Sequence, residues 1–529
     1  MLRNTVKARI KKSIQKAQET GALPVTRVGQ FRVERPSRAD QGDWATSVAM
    51  VLASATDKKP KTVAKILRDI LVRDEIIASS FARVEVAPPG FINFYINNEK
   101  LIRGASGTVR KGKPATTNVG KGVKLNLEFL SVNPTGELHV GHARTAFYGD
   151  VLARVLCVSG FALTREYYIN NARQSAQIKE LGKTALGKGT SYKGPYLDQK
   201  IKEHKSKLTR LTNPSAAGYL IASAIQKDIR TFLASKAHIE FDVWKEEEEL
   251  YEDREIEETF QELKKKGYTY EKDGAVWLAS TRVGDIQDQV LVRSSGENTY
   301  FMADIAYHRD KARRGFTKLI DIWGADHQGH VRRMKAAMGI FGIKDMEVLI
   351  AQLVRLKGGE RLSKRKGNII SISDLLDVVG EDAARYFFLT KSLDSQMEFD
   401  MELASAKNQK NPVYYIQYTH ARISSIRKKA GVKIKPATLA TLKEDGEVAL
   451  MRVLAQYQDV VEDAARDYQV HRLTAYALEL ATAFNQFYRD LRVIDEGVVH
   501  EGRLALIDAT GVTLRSALEL LGISAPEEM

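Results

Sequence analysis

A strand, a short loop, a helix and a second strand follow one another directly between residues 123 and 169, and this order constrains the fold more than any other feature of the chain. In "VKLNLEFL" (123–130), Val123, Leu125, Leu127 and Phe129 fall on one face of a strand. "GHARTAFYGDVLARVLCVSG" (141–160) sets Ala143, Phe147, Val151, Leu152, Val155 and Leu156 at helical spacing, and Gly160 closes the run. "FALTREYYI" (161–169) reads as the next strand. Such a βαβ unit belongs to an α/β fold with a parallel sheet, whose ligands sit beyond the carboxyl ends of the strands. The stretch "NPTGELHVGHAR" (133–144) therefore lies where a nucleotide would bind.

With 529 residues the chain is too long for a single core. Residues 1–103 alternate helical and strand patterns. Within them "FARVEVAPPGFINFYI" (81–96) holds two period-2 runs split by Pro88, Pro89 and Gly90, the signature of a hairpin. "GASGTVRKGKPATTNVGKG" (104–122) carries five glycines and few large apolar residues, and reads as a linker. Residues 172–285 are rich in Lys and Glu and look inserted into the sheet domain, with Glu246–Glu249 expected as a solvated helix face. The β/α pattern resumes with "LIDIWGA" (319–325) and "EVLIAQLVRL" (347–356). From about residue 385 the pattern is helical only. Leu450, Leu454, Tyr457, Val461, Ala464 and Tyr468 form one stripe, and Leu473, Tyr476, Leu480, Phe484 and Phe487 another. The expected organisation is an α+β N-terminal domain over 1–110, a parallel-sheet domain over 111–385 and an all-α helical bundle over 386–529.

A net charge of +15 and a pI of about 9.4 favour a polyanionic partner, nucleic acid before a membrane surface. The one cysteine, Cys157, excludes an internal disulfide and a cysteine-based zinc site; its apolar helical surroundings read as core. No run of 18 or more apolar residues exists, so no membrane span is expected. The opening "MLRNTVKARIKKSIQKAQET" has six basic side chains and one acid, resembling a transit peptide in charge. Val6, Ile10, Ile14 and Ala17 nevertheless fall on one face, which favours the first amphipathic helix of a domain and a reducing cytoplasmic location.

The pair His139 and His142 admits two readings. At the start of a helix, the free backbone N–H groups and the dipole favour an anion, and neutral or charged imidazole N–H groups would add donors to phosphate oxygens. Gly141 would let a flat ligand lie on the backbone. Alternatively, "HVGH" and "HQGH" (327–330) supply two His-x-x-His pairs, and Asp326 would complete a metallohydrolase site. A second basic element, "KGGERLSKRKGN" (357–368), follows the last strand. Two such elements at strand ends suit the triphosphate of ATP, whose leaving pyrophosphate needs charge stabilisation.

"HVGH" and "RLSKR" resemble the HIGH and KMSKS signatures of class I aminoacyl-tRNA synthetases. "EFLSVNPTGELHVGHAR", "YFMADIAYHRDK", "WGADHQGH" and "DAARYFFLTKSLDSQMEFD" together resemble the arginyl-tRNA synthetase family, as do "GDWATSVAM" (42–50) and "NPVYYIQYTHARI" (411–423). The resemblance implies a Rossmann-like catalytic domain in which His139, Gly141 and His142 handle ATP, and His139, His142 and Lys364 act in catalysis. It places Arg361, Ser363 and Lys364 on the ATP side. Arg361 stands where the pattern has its first lysine, Leu362 where it has methionine, and Arg365 where it has the final serine. Glu128, Asn133, Tyr300 and Asp304 match the family's arginine pocket, and His327 stands where some members use a glutamine. In "YINNARQ" (168–174) many relatives read Asp-Ala-Gly, so Asn171 and Arg173 remove an acid and add a base.

The implied reaction joins L-arginine to its cognate tRNA through an arginyl-adenylate, with ATP and Mg2+ and no protein nucleophile. A planar guanidinium with five donors needs carboxylates, which Asp304 and Glu128 would supply. Tyr300 lies one helical turn before Asp304 if the segment is helical. In the family the N-terminal domain touches the outer corner of the tRNA and the helical domain reads the anticodon. Tyr414, Tyr415, Tyr418, Arg422 and Arg427 would put rings and cations on one basic helix, a surface for single-stranded RNA. About half of these tyrosines are expected to be bundle core instead. A monomer without a resident metal is expected. The competing readings are a nucleotidylyltransferase carrying an unrelated helical module, and the histidine-based metallohydrolase.

Overall fold

The computed structural model describes residues 2–36, 38–357 and 370–529. The helix Leu2–Glu19 buries Val6, Ile10, Ile14 and Ala17, as their spacing predicts. It packs on the helix Pro60–Leu71 beside a four-stranded antiparallel sheet. The hairpin expected around Gly90 is there: Phe81–Ala87 pairs with Phe91–Ile96. The stretch read as a linker is helical for its first part. Residues 104–111 finish the helix Asn98–Lys111, which Asn97 caps by accepting the Lys100 N–H at 2.8 Å. Its buried Leu101 and Ala105 face the C-terminal helices Asp445–Ala455 and Glu501–Leu521. Both the cap and Leu101 lie upstream of the glycine-rich stretch, so the glycines were visible without the helix that holds them.

The central sheet contains β1 (Lys124–Glu128), β2 (Ala162–Ile169), β3 (Val243–Glu246), β4 (Lys318–Gly324) and β5 (Met346–Ala351). All five are parallel, in the order β5-β4-β1-β2-β3. The helix α1 (Val140–Val158) crosses from β1 to β2, α2 (Glu247–Glu252) follows β3, and α3 (Tyr300–Arg313) precedes β4. The segment 172–285 thus supplies the edge strand β3 as well as helices. In β1, Leu125, Leu127 and Phe129 are buried as expected, while Val123 is exposed. Asn126 and Glu128 are buried too, because both faces of the sheet are covered. Where α1 crosses β1, a Cβ on Gly149 would lie 2.2 Å from the Phe129 ring. Cys157 is exposed rather than core: α1 turns Val151, Leu152, Val155 and Leu156 inward, and position 157 falls on the outer side.

"EVLIAQLVRL" is two strands, not one. After β5 the chain leaves the sheet, and Val354–Lys357 pairs with Met397–Asp400 instead. Beyond residue 400 the chain is helical except for the small hairpin Ile494–Asp495/Val498–Val499. The second apolar stripe is buried along one helix, His471–Asp490. The first spans two helices, Asp445–Ala455 and Tyr457–Asp467, with the break at Gln456; Tyr468 ends it at φ +61°. The helix α4 (Pro412–Ala430) starts on Asn411, which accepts the Val413 N–H at 3.0 Å.

Candidate active site

Strand order decides where a ligand fits. The chain builds β1, β2 and β3 outward on one side, then returns to lay β4 and β5 on the other. The crevice between β1 and β4, beyond their carboxyl ends, is the switch point of the sheet. Glu128 ends β1 and Gly324 ends β4. The loop carrying Asn133 and the turn Ala325–His330 leave from that same edge.

His139 caps α1. Its Nδ1 accepts the Gly141 N–H at 3.1 Å, and His142 Nδ1 accepts the His139 N–H at 3.2 Å. The two rings stack with centroids 3.6 Å apart. With each Nδ1 used as an acceptor, the ring protons sit on Nε2, where they remain free to donate. Burial lowers both pKa values, that of His142 to about 3, so the pair is neutral at neutral pH. Of the two protonation states open from the sequence, the neutral one holds. Attraction for an anion comes from the helix start. A Cβ on Gly141 would lie 2.9 Å from the His139 ring, so the glycine also keeps that imidazole seated.

The turn is tied to the far end of the second basic element. Val140 N–H donates to Ile370 O at 3.0 Å and Ile372 N–H to Leu138 O at 2.9 Å, bridging His139 and Ser371. Arg361, Ser363 and Lys364 lie outside the described residues.

The helix α3 carries the acidic and basic side chains of the crevice at one-turn intervals: Tyr300, Asp304, His308 and Lys311. Buried Lys311 Nζ donates to Glu128 Oε2 at 2.6 Å and to Asp321 Oδ1 at 2.9 Å. His308 faces an acceptor on each side, Asp304 O at 2.7 Å and Asp321 Oδ2 at 2.8 Å, so both ring nitrogens carry protons. The Asp321 carboxylate accordingly raises the His308 pKa against the effect of burial and of Lys311. Glu128, Asp321, Lys311 and His308 thus balance their charges among themselves. One carboxylate oxygen of Glu128, expected to face the substrate, is already held by Lys311.

Asp304 differs. Its carboxyl has no hydrogen-bond partner among the described residues. Burial, with the Glu128 charge adding to it, pushes its pKa up to about 6 against the opposing charges of His308, His327 and Arg333. Tyr300, at the first turn of α3, is half exposed and is not a core aromatic. Asn133 is exposed on the loop after β1. His327 is exposed beside Asp326, 3.3 Å away, with its ring 6.3 Å from that of Trp323.

Two further groups escaped the sequence reading. Glu247 and Glu248, expected to be solvated, are buried at the start of α2, which packs on α3. Burial, with the Asp304 and Glu248 charges adding, holds the Glu247 carboxyl at about 7. Tyr168 stacks on Tyr307 at 4.0 Å, and its buried hydroxyl has no partner among the described residues. It feels the charges of Glu247, Asp304 and Glu128 together. The helical spacing from Asp304 to His308 and Lys311 was a signal in the sequence. Nothing in the acidic run distinguished Glu247 from its neighbours.

Among the described residues the two His-x-x-His pairs do not converge on a metal-ligand cluster. The one group of three suitable ligand atoms is Glu128, His308 and Asp321, and the Lys311 ammonium bridges its two carboxylates. On α4, Tyr414, Tyr418 and Arg422 line one half-buried stripe. The tyrosine rings are 6.3 Å apart and parallel within 8°, and the guanidinium lies 4.8 Å over Tyr418. Tyr415 turns toward the core, and Arg427 pairs with Asp508 at 2.9 Å.

A parallel sheet with a histidine-capped helix at its switch point, preceded by an α+β domain and followed by a helical bundle, is the architecture of a class I aminoacyl-tRNA synthetase. Residues 4–96 match the family described as arginyl tRNA synthetase N terminal domain, residues 202–429 the tRNA synthetases class I (R) catalytic domain, and residues 416–529 the DALR anticodon binding domain. The chain is 39% identical over 568 aligned residues to the arginine–tRNA ligase of Geobacillus thermodenitrificans, spanning 100% of this chain and 99% of that protein. To that of Bacillus subtilis it is 37% identical, with the same coverage. The structure of Thermus thermophilus arginyl-tRNA synthetase superposes with a TM-score of 0.80 at 22% identity, covering 100% of both chains. This chain belongs to the arginyl-tRNA synthetase family. Its helical part matches a synthetase domain, so the reading of an unrelated helical module falls.

Proposed function

We infer that the chain ligates L-arginine to its cognate tRNA with ATP, through an arginyl-adenylate, in protein synthesis. The observation that carries this is the partnerless Asp304 carboxyl, set at the switch point with Glu247 and the Tyr168 hydroxyl around it. A group held near 6 by burial regains its full charge when a guanidinium pairs with it. The planar fork of arginine suits such a site better than a lysine point charge does.

The arginine carboxylate attacks the α-phosphorus of ATP and pyrophosphate leaves; a terminal ribose hydroxyl of the tRNA then attacks the carbonyl. The Nε2–H groups of His139 and His142 and the start of α1 donate to phosphate oxygens. Lys364, with Arg361 and Ser363, serves the pyrophosphate side. Mg2+ enters with ATP and screens its phosphates. Tyr300 and Asn133 close the amino-acid site, with His327 at its rim. Tyr414, Tyr418 and Arg422 form a stacking surface for unpaired tRNA bases.

Domain limits near residues 110 and 385 are proposed. So are a monomeric state and a cytoplasmic location; among the described residues no helix is long and apolar enough to cross a membrane. The test is charging of total tRNA with each of the twenty amino acids. Arginine alone should be accepted. Charging with another amino acid, or none with arginine, would sink the reading.

A further inference from the structure

Three consecutive residues after β2 meet three consecutive glutamates at the junction of β3 and α2. Asn171 Nδ2 donates to Glu246 Oε2 at 2.8 Å, and the Ala172 N–H to Glu247 Oε2 at 3.4 Å. Arg173 donates to Glu248 through its backbone N–H at 2.8 Å and its guanidinium at 2.6 Å. Asn171 also works backward, its Oδ1 accepting the Glu248 N–H at 3.3 Å. Its amide therefore grips the acidic run on both sides of Glu247. The helix Pro214–Ser235 completes the clasp: Tyr219 donates its hydroxyl to Glu246 at 3.2 Å, and the Arg173 guanidinium lies 4.1 Å from the Tyr219 ring.

Asn171 and Arg173 are the positions where this chain departs from the Asp-Ala-Gly of many relatives. The departure fits its surroundings. An aspartate at 171 could still accept from the Glu248 N–H, but it would set a second carboxylate 2.8 Å from Glu246 with no proton to share. An amide supplies both the donor and the acceptor that this glutamate run requires.

We propose that Asn171, supported by Arg173, is a positioning residue for the amino-acid site: it fixes the β3–α2 junction Glu246–Glu248 so that Glu247 presents its carboxyl toward Asp304 and α3. The proposal rests on the arginine-ligase reading above. Glu246 and Glu248 are held by the clasp and spent on it, and Glu247 gives it one oxygen, Oε2, leaving Oε1 for the substrate.

The experiment exchanges the roles of one hydrogen-bonded pair in the full chain. Asn171→Asp, Glu246→Gln and the double variant are compared with the parent for arginine KM, ATP KM, kcat and melting temperature. Asn171→Asp should raise the arginine KM about tenfold, as expected for loss of a buried hydrogen bond to a charged group, with kcat and ATP KM little changed. Glu246→Gln alone should stay close to the parent, because its amide oxygen still accepts from Asn171. The double variant rebuilds the bond with donor and acceptor exchanged, and should return the arginine KM to near the parent value. An unchanged KM in folded Asn171→Asp, or a double variant no better than the single, would overturn the proposal. Should Asn171→Asp not fold, the double variant decides alone: near-parental KM supports positioning and a raised KM refutes it. A parent chain that charges no arginine would instead refute the ligase reading.

Discussion

The helix α3 separates two groups of acids that look alike in sequence and behave oppositely. At its carboxyl-terminal end, Glu128 and Asp321 are buried, yet Lys311 and His308 lie between them and cancel their charge. At its amino-terminal end, the Asp304 and Glu247 carboxyls make no ion pair among the described residues, and burial drives their pKa values up to about 6 and about 7, for Asp304 against the weaker opposing pull of His308, His327 and Arg333. The two arrangements treat the cost of a buried charge differently. One cancels it with a cation built into the chain. The other raises the cost of its charge, and a cation that pairs with it relieves that cost. The first is a scaffold and the second a site.

Four measurements would break or sharpen that contrast. The largest effect belongs to the scaffold. Lys311→Met leaves two facing carboxylates without their cation, and breaking a buried pair in this way costs about 3–5 kcal/mol. Melting should fall by roughly 10 °C, and an unchanged melting curve would show that the ammonium holds nothing together.

Next comes the site. Asp304→Asn keeps the shape and removes the charge, so the arginine requirement should rise while the ATP KM stays put. Loss of one partner of a desolvated charge pair costs about 2–5 kcal/mol, roughly thirty-fold to several thousand-fold in arginine KM. Melting should hold or increase. A carboxyl whose folded pKa lies above its unfolded value opposes folding at neutral pH, and that opposition fades as pH falls from about 6 toward the ordinary carboxylate range. An unaltered arginine KM in a folded variant would return the guanidinium to Glu128 or Glu247.

The third is a pH profile on the unmodified chain. Arginine is captured by the charged form of Asp304, so kcat/KM for arginine should fall about tenfold between pH 7 and pH 5, with Glu247 broadening the upper part of the step. Asp304→Asn should lose most of that dependence. A parent and variant with superimposable profiles would assign the titration elsewhere; His142 is a poor candidate, with its pKa at about 3.

The smallest effect is expected from Tyr168→Phe. Its buried hydroxyl has no partner among the described residues, so removing it should leave melting unchanged or slightly higher. If the hydroxyl serves the bound substrate, the arginine KM should rise by about fivefold, the worth of roughly one hydrogen bond. No change in KM would place it among the packing groups.

Much of this organisation was legible in residue order. Periodicity alone marked β1, α1 and β2, the first helix and the hairpin at Gly90. The motifs around His139, Asp304 and Tyr418 stood out because helical spacing is a local property that sequence displays directly. The acidic run Glu246–Glu249 was misread for the complementary reason. Four successive glutamates have no period that separates a buried position from a solvated one, and only the residues after β2, some 75 positions away, make the distinction. The glycine-rich stretch 104–122 misled similarly, since its helix is stabilised by a cap upstream and by distant C-terminal helices.

By itself the sequence determined that this chain is an α/β protein with a helical C-terminal part, and that a histidine pair opens a helix after a strand. It also determined the family, because motif spacing survives in one dimension. The tertiary structure alone decided the charge of each acidic group. Whether a carboxyl is a neutralised strut or a waiting receptor depends on which cation lies within about 3 Å of it and how much water is excluded. Lys311 reaches Glu128 across 183 positions of chain, and that distance is closed by the order of the strands.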